Sequence, residues 1–216
     1  RGLGDVYKRQ VEKANDLGYK LLVNFEKRPE LLELSLRQAI YAAIDRQAIV
    51  DKVFRGMGTV GSAGYVPVSS LFYNEDVVKY DYDPEAAKAA LSGLGLSVEL
   101  LTDDSSDSLN VSELVKNNLE AAGVSVQVTA LDSASRDQRI NSGDYEFAIV
   151  SNGGWGNNPP TYMRTIFSDI SKNSGGNPHS MGPIGYSNEE ITRLAEAQMY
   201  ETDFEARKQM FKELEY

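Results

Sequence analysis

Apolar and polar positions along the chain alternate between two periods. Residues 19–25 (YKLLVNF) form a short apolar run and predict a strand. Leu32, Leu36, Ile40, Ala43 and Ile44 then recur at helical spacing. Asp45 is placed to cap a second helix whose buried face is Ile49, Val50, Val53 and Phe54. Residues 59–82 are loop-rich and carry tyrosines at 65, 73, 80 and 82. Asp83-Pro84-Glu85 opens the next helix with a cap, a first-turn proline and an acid near the positive helix end. That helix runs through Ala86, Ala87, Ala90 and Leu91 and stops near Gly93 or Gly95.

From there the pattern becomes regular. Residues 96–101 read as a strand, 108–122 as an amphipathic helix closed by Gly123, and 124–129 as a strand with one wetter face. Residues 133–141 suit a helix and 145–150 a more fully buried strand. Strands alternating with helices predict an α/β fold with a mostly parallel sheet and right-handed crossovers. The run closes on Ser151-Asn152-Gly153-Gly154-Trp155-Gly156-Asn157-Asn158-Pro159-Pro160-Thr161-Tyr162, which holds the chain's one tryptophan. A Gly-rich turn after a buried strand is where open α/β sheets place ligand contacts. Glycine lets the backbone come close, and the indole offers a flat wall with one N–H donor. A helix over 162–170 follows, then a polar stretch over 171–186. Two capping boxes, Ser187-Asn188-Glu189-Glu190 and Thr202-Asp203-Phe204-Glu205, open helices over 188–200 and 203–215.

Composition narrows the chemistry. A length of 216 residues allows one or two domains with a sizeable core. The net charge of −10 disfavours a nucleic-acid or anionic-membrane partner. With no cysteine there is no disulfide or thiolate chemistry, and a single histidine, His179, gives little basis for a zinc site or a hydrolytic triad. No Gly-x-Ser-x-Gly elbow and no Walker loop occurs. Gly56-Met57-Gly58-Thr59-Val60-Gly61 spells a dinucleotide fingerprint, but a helix precedes it, so it reads as a loop. Asp103, Asp104 and Asp107 read as an acidic loop capping the following helix. Binding without catalysis is the favoured class, and no cofactor is expected. Residues 1–10 (RGLGDVYKRQ) show no clear period and read as a non-native scar, while the helical pattern at Glu213-Leu214-Glu215-Tyr216 reads as cut short.

Four motifs run in order. Residues 36–50 spell LRQAIYAAIDRQAIV after Val23-Asn24-Phe25. Gly58, Gly61, Ala63, Gly64 and Pro67 form a spaced small-residue loop. Tyr80, Tyr82, Asp83, Pro84, Glu85, Ala87, Lys88, Leu91 and Gly95 follow, and Gly185 to Glu213 close the series. Together they resemble the peptide/nickel class of extracytoplasmic solute-binding proteins that serve ABC importers.

The resemblance implies a periplasmic-binding-protein-like (type II) lobe of a two-lobed protein that closes over its ligand by hinge motion. Residues 11–25 would be the hinge strand region and 26–216 the second lobe, truncated at its C-terminal end. Arg37, Asp45 and Arg46 would serve helix packing and ion pairing. The ligand loop would be Gly154, Trp155, Gly156, Asn157 and Asn158. Peptide-binding members carry an Asp in this loop, and this chain has none between Trp155 and Thr161. The implied function is capture of a small solute, a short peptide first, by a monomeric periplasmic or lipid-anchored protein that hands it to permease subunits. Three alternatives remain: a nickel or metallophore receptor with His179 near the metal, a peptide-sensing receptor, and a hydrolase, against which the missing nucleophile and base count.

Overall fold

The computed structural model describes residues 18–61, 66, 70–152, 159–167 and 184–215. Among these, four strands form one sheet: β1 (Gly18–Val23), β2 (Ser97–Asp103), β3 (Ser125–Leu131) and β4 (Phe147–Asn152), in the order β1-β4-β2-β3. β2 runs parallel to both β3 and β4. β1 runs antiparallel to β4, with Gly18 opposite Asn152 and Val23 opposite Phe147. The mostly parallel sheet is therefore present, and its reversed edge strand is a feature that the alternating pattern did not reveal.

Helices cover both faces. α1 (Leu34–Ala43), α2 (Arg46–Val53), α3 (Pro84–Leu91) and α4 (Ser106–Ala121) serve one face, where Val111, Val115 and Leu119 pack with Leu100, Phe147 and Ile149. α5 (Ser133–Asn141) serves the other, where Ile140 and Tyr145 pack with Leu22, Leu101, Ala148 and Val150. Fully burying a Leu or Phe stabilises by about 1.5–3 kcal/mol, so these two layers carry most of the fold. A third cluster joins α6 (Pro159–Phe167), α7 (Glu189–Ala197) and α8 (Phe204–Leu214) through Met163, Ala195, Phe211 and Leu214. Phe72, from the excursion between α2 and α3, stacks on Phe211 with ring centroids 4.2 Å apart.

Caps explain most helix starts. The side chains of Asp45, Asp83, Ser105, Asp132, Asn188 and Asp203 accept from first-turn N–H groups of α2, α3, α4, α5, α7 and α8. Asn188 and Asp203, rather than Ser187 and Thr202, are therefore the caps of the last two helices. Two other expectations change. Leu32 ends a 3-10 turn (Pro29–Leu32) and is 46% exposed, so it is not on the buried face of the first helix. α6 starts at Pro159, within the stretch read as a turn, because a first helical turn has no use for the N–H groups that prolines lack.

The residues of the LRQAIYAAIDRQAIV motif have structural work. Arg37 Nη1 donates to the carbonyls of Leu31 and Leu32 at 2.8 and 2.6 Å, which ties α1 to the preceding turn. Arg46 lies 3.8 Å from the Tyr41 ring centroid and donates to the carbonyls of Tyr41 and Tyr80 at 2.8 and 2.6 Å. Asp45 Oδ1 caps α2 at Ala48 N, 2.9 Å away. The expected packing role holds, but the hydrogen-bond partners found for the two arginines are backbone carbonyls, where ion pairs were expected.

Candidate functional site

In a parallel sheet the chain direction places all strand ends of one kind along one edge. Here Asp103, Leu131 and Asn152 end β2, β3 and β4 on the same side. From β2 the chain passes through α4 on one face to β3, then through α5 on the other face to β4, across β2. The reversal makes a switch point between β2 and β4, where open α/β sheets leave a crevice. Because β1 is antiparallel, its first residues, Gly18 and Tyr19, lie beside Asn152 and Ser151 at that same edge.

Polar groups at the end of β2 are tightly organised. Asp103, buried, accepts from Ser105 N at 3.0 Å, Ser108 Oγ at 2.9 Å and Arg136 Nη1 at 3.0 Å. Arg136, also buried, reaches from α5 and donates as well to Asp137 at 2.8 Å and to the carbonyl of Ile149 in β4 at 3.4 Å. Burial pushes the Asp103 carboxyl up, but hydrogen bonds from Ser105 and Ser108 and the Arg136 charge outweigh it and hold it below its ordinary value. The acidic-loop reading of residues 103–107 therefore changes: Asp103 ends β2, Asp107 lies in the first turn of α4, and the side chain that caps α4 is that of Ser105. The Arg136 partner was missed: 33 residues separate the pair, and no local spacing announces it.

Tyr19 is half-buried, with its ring 5.2 Å from that of Phe54. Burial raises the pKa of its hydroxyl, partly offset by a hydrogen bond with Ser108. Next to it, Lys20 faces Val150 across the ladder, and burial lowers its ammonium to about 7. The opposite edge of the sheet is closed by Asn24. Its Nδ2 donates to the Gly143 carbonyl at 2.9 Å and its Oδ1 accepts from Glu26 N at 3.0 Å and Lys27 N at 3.4 Å. Its own N–H donates to the Glu146 carbonyl, and the next N–H, of Phe25, to that of Ile184.

Gly154, Trp155, Gly156, Asn157, Asn158 and His179 lie outside the described residues. The segment with the first five leaves the end of β4 at Asn152 and re-enters the described structure at α6. Gly56–Gly61 follows α2 and no strand, as the loop reading requires. Among the described residues, no three His, Cys, Asp or Glu side chains are grouped to hold a metal ion. Nor does any helix among them have the length and apolarity to cross a membrane.

A helix-flanked, mostly parallel sheet with a reversed edge strand and a switch point between β2 and β4 has the architecture of a type II periplasmic binding protein lobe. The family model of bacterial extracellular solute-binding proteins, family 5 (Middle), matches residues 4–174, and the chain belongs to that family. It is 28% identical over 171 residues to the dipeptide-binding protein of Escherichia coli (strain K12), which covers 75% of this chain and 31% of that protein. The periplasmic binding protein DppA from Helicobacter pylori, solved in complex with the peptide STSA, superposes with a TM-score of 0.76 at 18% identity, covering 92% of this chain and 38% of that one. HbpA2 from Haemophilus parasuis superposes with a TM-score of 0.79 at 21% identity, over 94% and 40%. The chain thus spans about a third of the length of the curated relatives it matches first.

Proposed function

We propose that this chain is one lobe of the solute-capturing subunit of an ABC importer and that its ligand, a short peptide, is held at the carboxyl edge of β2 and β4. The observation that carries the reading is the strand order, which puts a switch point between β2 and β4 at the edge from which the chain runs on into the Trp155 segment. The dipeptide-binding protein among its relatives supplies the ligand class. Trp155 would form an apolar wall, and Gly154, Gly156, Asn157 and Asn158 would offer polar groups at close range. The Asp103 carboxylate is already shared by Ser105, Ser108 and Arg136. A peptide ammonium therefore needs a carboxylate from elsewhere, and the partner lobe of the longer protein is its natural source. Hinge closure of two lobes, with residues 11–25 in the hinge region, would desolvate the ligand and form the surface that the permease reads. The protein then works outside the cytoplasm and catalyses nothing.

The test is calorimetric titration of the longer parent protein with a di- and tripeptide library. Saturable binding weakened at least about tenfold by Trp155→Ala, the loss of one well-buried aromatic contact, supports the reading. Binding untouched by that substitution, or saturation by no peptide, removes it.

A further inference from the structure

The ladders of the sheet are unequal. β1–β4 pairs six residues on each strand and β2–β3 seven, but β2–β4 pairs only Leu100 with Phe147 and Leu101 with Ala148. In a strand the backbone groups of alternate residues point to opposite edges. Ser125 N–H donates to the Leu96 carbonyl at 2.9 Å, so Val98, Leu100 and Thr102 also turn their backbone groups to β3. Ser97, Glu99, Leu101 and Asp103 turn theirs to β4, and of these four only Leu101 lies in a β2–β4 pair. Side chains hold the seam beyond it. At the amino edge the Ser97 carbonyl accepts from Arg28 Nη2, and Glu99 N–H donates to Glu146 Oε2 at 2.6 Å. Arg28 Nε lies 3.5 Å from Glu146 Oε1 and ties these two side chains together. At the carboxyl edge the Ile149 carbonyl accepts from Arg136 Nη1 at 3.4 Å, and the same nitrogen donates to Asp103 at 3.0 Å.

A backbone ladder breaks only when a strand moves, whereas a side chain can release its partner and take it up again. We infer that the sheet has a parting line between β2 and β4: the β1–β4 and β2–β3 pairs are two units, and Glu146 at the amino edge and Arg136 at the carboxyl edge are the clasps that keep them in register. Leu100 and Phe147 share the α4 layer, and Leu101 and Ala148 the α5 layer, so these side chains stay covered while the backbone bonds of the seam let go. Such an opening is a small shear of two packed units. Its use in ligand capture rests on the proposed role of the carboxyl edge, where the line ends, but the opening itself is read without any ligand.

The experiment is native-state hydrogen exchange of the 216-residue chain, followed amide by amide by NMR and corrected for intrinsic rates. Neighbours in one strand supply the comparison: Leu101 N–H faces the seam, while Leu100 and Thr102 N–H face the ladder to β3. Leu101 should exchange at least about tenfold faster than both, through a local opening below global unfolding. Equal or slower exchange at Leu101 overturns the inference. Two variants then identify what breaks in the opening. Phe204→Ala loosens the helical layer through the Phe204–Phe72 contact, away from the seam, so it should speed Leu100 and Thr102 and leave Leu101 unchanged. Glu146→Ala removes bonds that are lost both when the seam opens and when the chain unfolds, so it should speed all three amides by one factor. Glu146→Gln, which loses the ion pair with Arg28, gives the same readout if the Ala variant does not fold. Leu101 unmoved by the folded Glu146 variant, or sped by Phe204→Ala as much as its neighbours, overturns the inference. Failure of peptide binding in the parent would leave the exchange result standing, so the two readings fail separately.

Discussion

Asn24 offers the sharpest test of how this lobe is held together. Its side chain is fully buried, and it bonds three backbone groups from two parts of the chain: Gly143 on one side, Glu26 and Lys27 on the other. Asn24→Ala strands the Gly143 carbonyl and the Glu26 N–H, while the 3.4 Å contact to Lys27 contributes little. Each stranded buried group costs about 1–3 kcal/mol, so the variant should lose about 2–6 kcal/mol. For a chain of this size that is a fall of roughly 4–24 °C in melting temperature. Urea unfolding followed by far-UV circular dichroism measures it. Asn24→Asp refines the test, because the carboxylate keeps the acceptor for Glu26 but faces the Gly143 carbonyl with no proton. Its deficit should match or exceed that of Asn24→Ala at pH 7 and shrink under acid, where the protonated carboxyl can donate. A loss under about 1 kcal/mol in Asn24→Ala would refute the reasoning, since it would mean that the stranded groups find other partners.

Three further predictions concern charge. Arg136→Met should destabilise by about 3–5 kcal/mol by leaving the buried Asp103 carboxylate short of its cation, and Asp103→Asn combined with it should recover part of that loss; a double-mutant cycle in urea reads the coupling. Because the folded state lowers the pKa of Asp103, its contribution is complete above the unfolded value of about 3.9 and is lost as pH falls through the folded value, so the acid arm of the stability profile should flatten in Asp103→Asn. Lys20 acts in the opposite range. Its folded pKa of about 7 lies below the ordinary 10.5, so the unfolded chain binds more protons between these values and stability should rise with pH across that window. Lys20→Met should remove that slope, and an unchanged slope would show that burial does not govern this ammonium.

The elements that could be read from the chain are those with local causes. The helix over 133–141 is legible to the residue because Asp132 caps it and Gly143 follows its end. The β-α-β-α-β rhythm gave the parallel strands because each element carries its own period. The direction of β1 could not be read, since an antiparallel edge strand and a parallel one share the same short apolar pattern. The Asp103–Arg136 pair was hidden for a related reason: it joins residues 33 positions apart, and neither side chain has a neighbour in sequence that announces its role. Leu32 misled because its spacing fits a helix that a proline-led 3-10 turn forestalls. The candidate ligand segment rests on its place after β4 and on the motif, which is why its contacts stay a proposal.

The excursion between α2 and α3 has a consequence for how the lobe comes apart. Its two feet belong to the sheet's first face: the N–H of Gly56 donates to the Val50 carbonyl at 3.0 Å at the near foot, and at the far foot Arg46 holds the Tyr80 carbonyl and Asp83 N–H donates to the Ala42 carbonyl at 2.9 Å. Its aromatic tip belongs to the other layer, where Phe72 lies on Phe211 and Asp76 pairs with Lys212 at 3.6 Å. A chain that starts in one layer, inserts its ring into the second and returns to the first turns the two into a single cooperative unit. The α6–α8 layer cannot melt without exposing a ring whose stem is bonded to α1 and α2. Heat should therefore unfold sheet and helical layer in one transition, despite the separate hydrophobic clusters that each possesses.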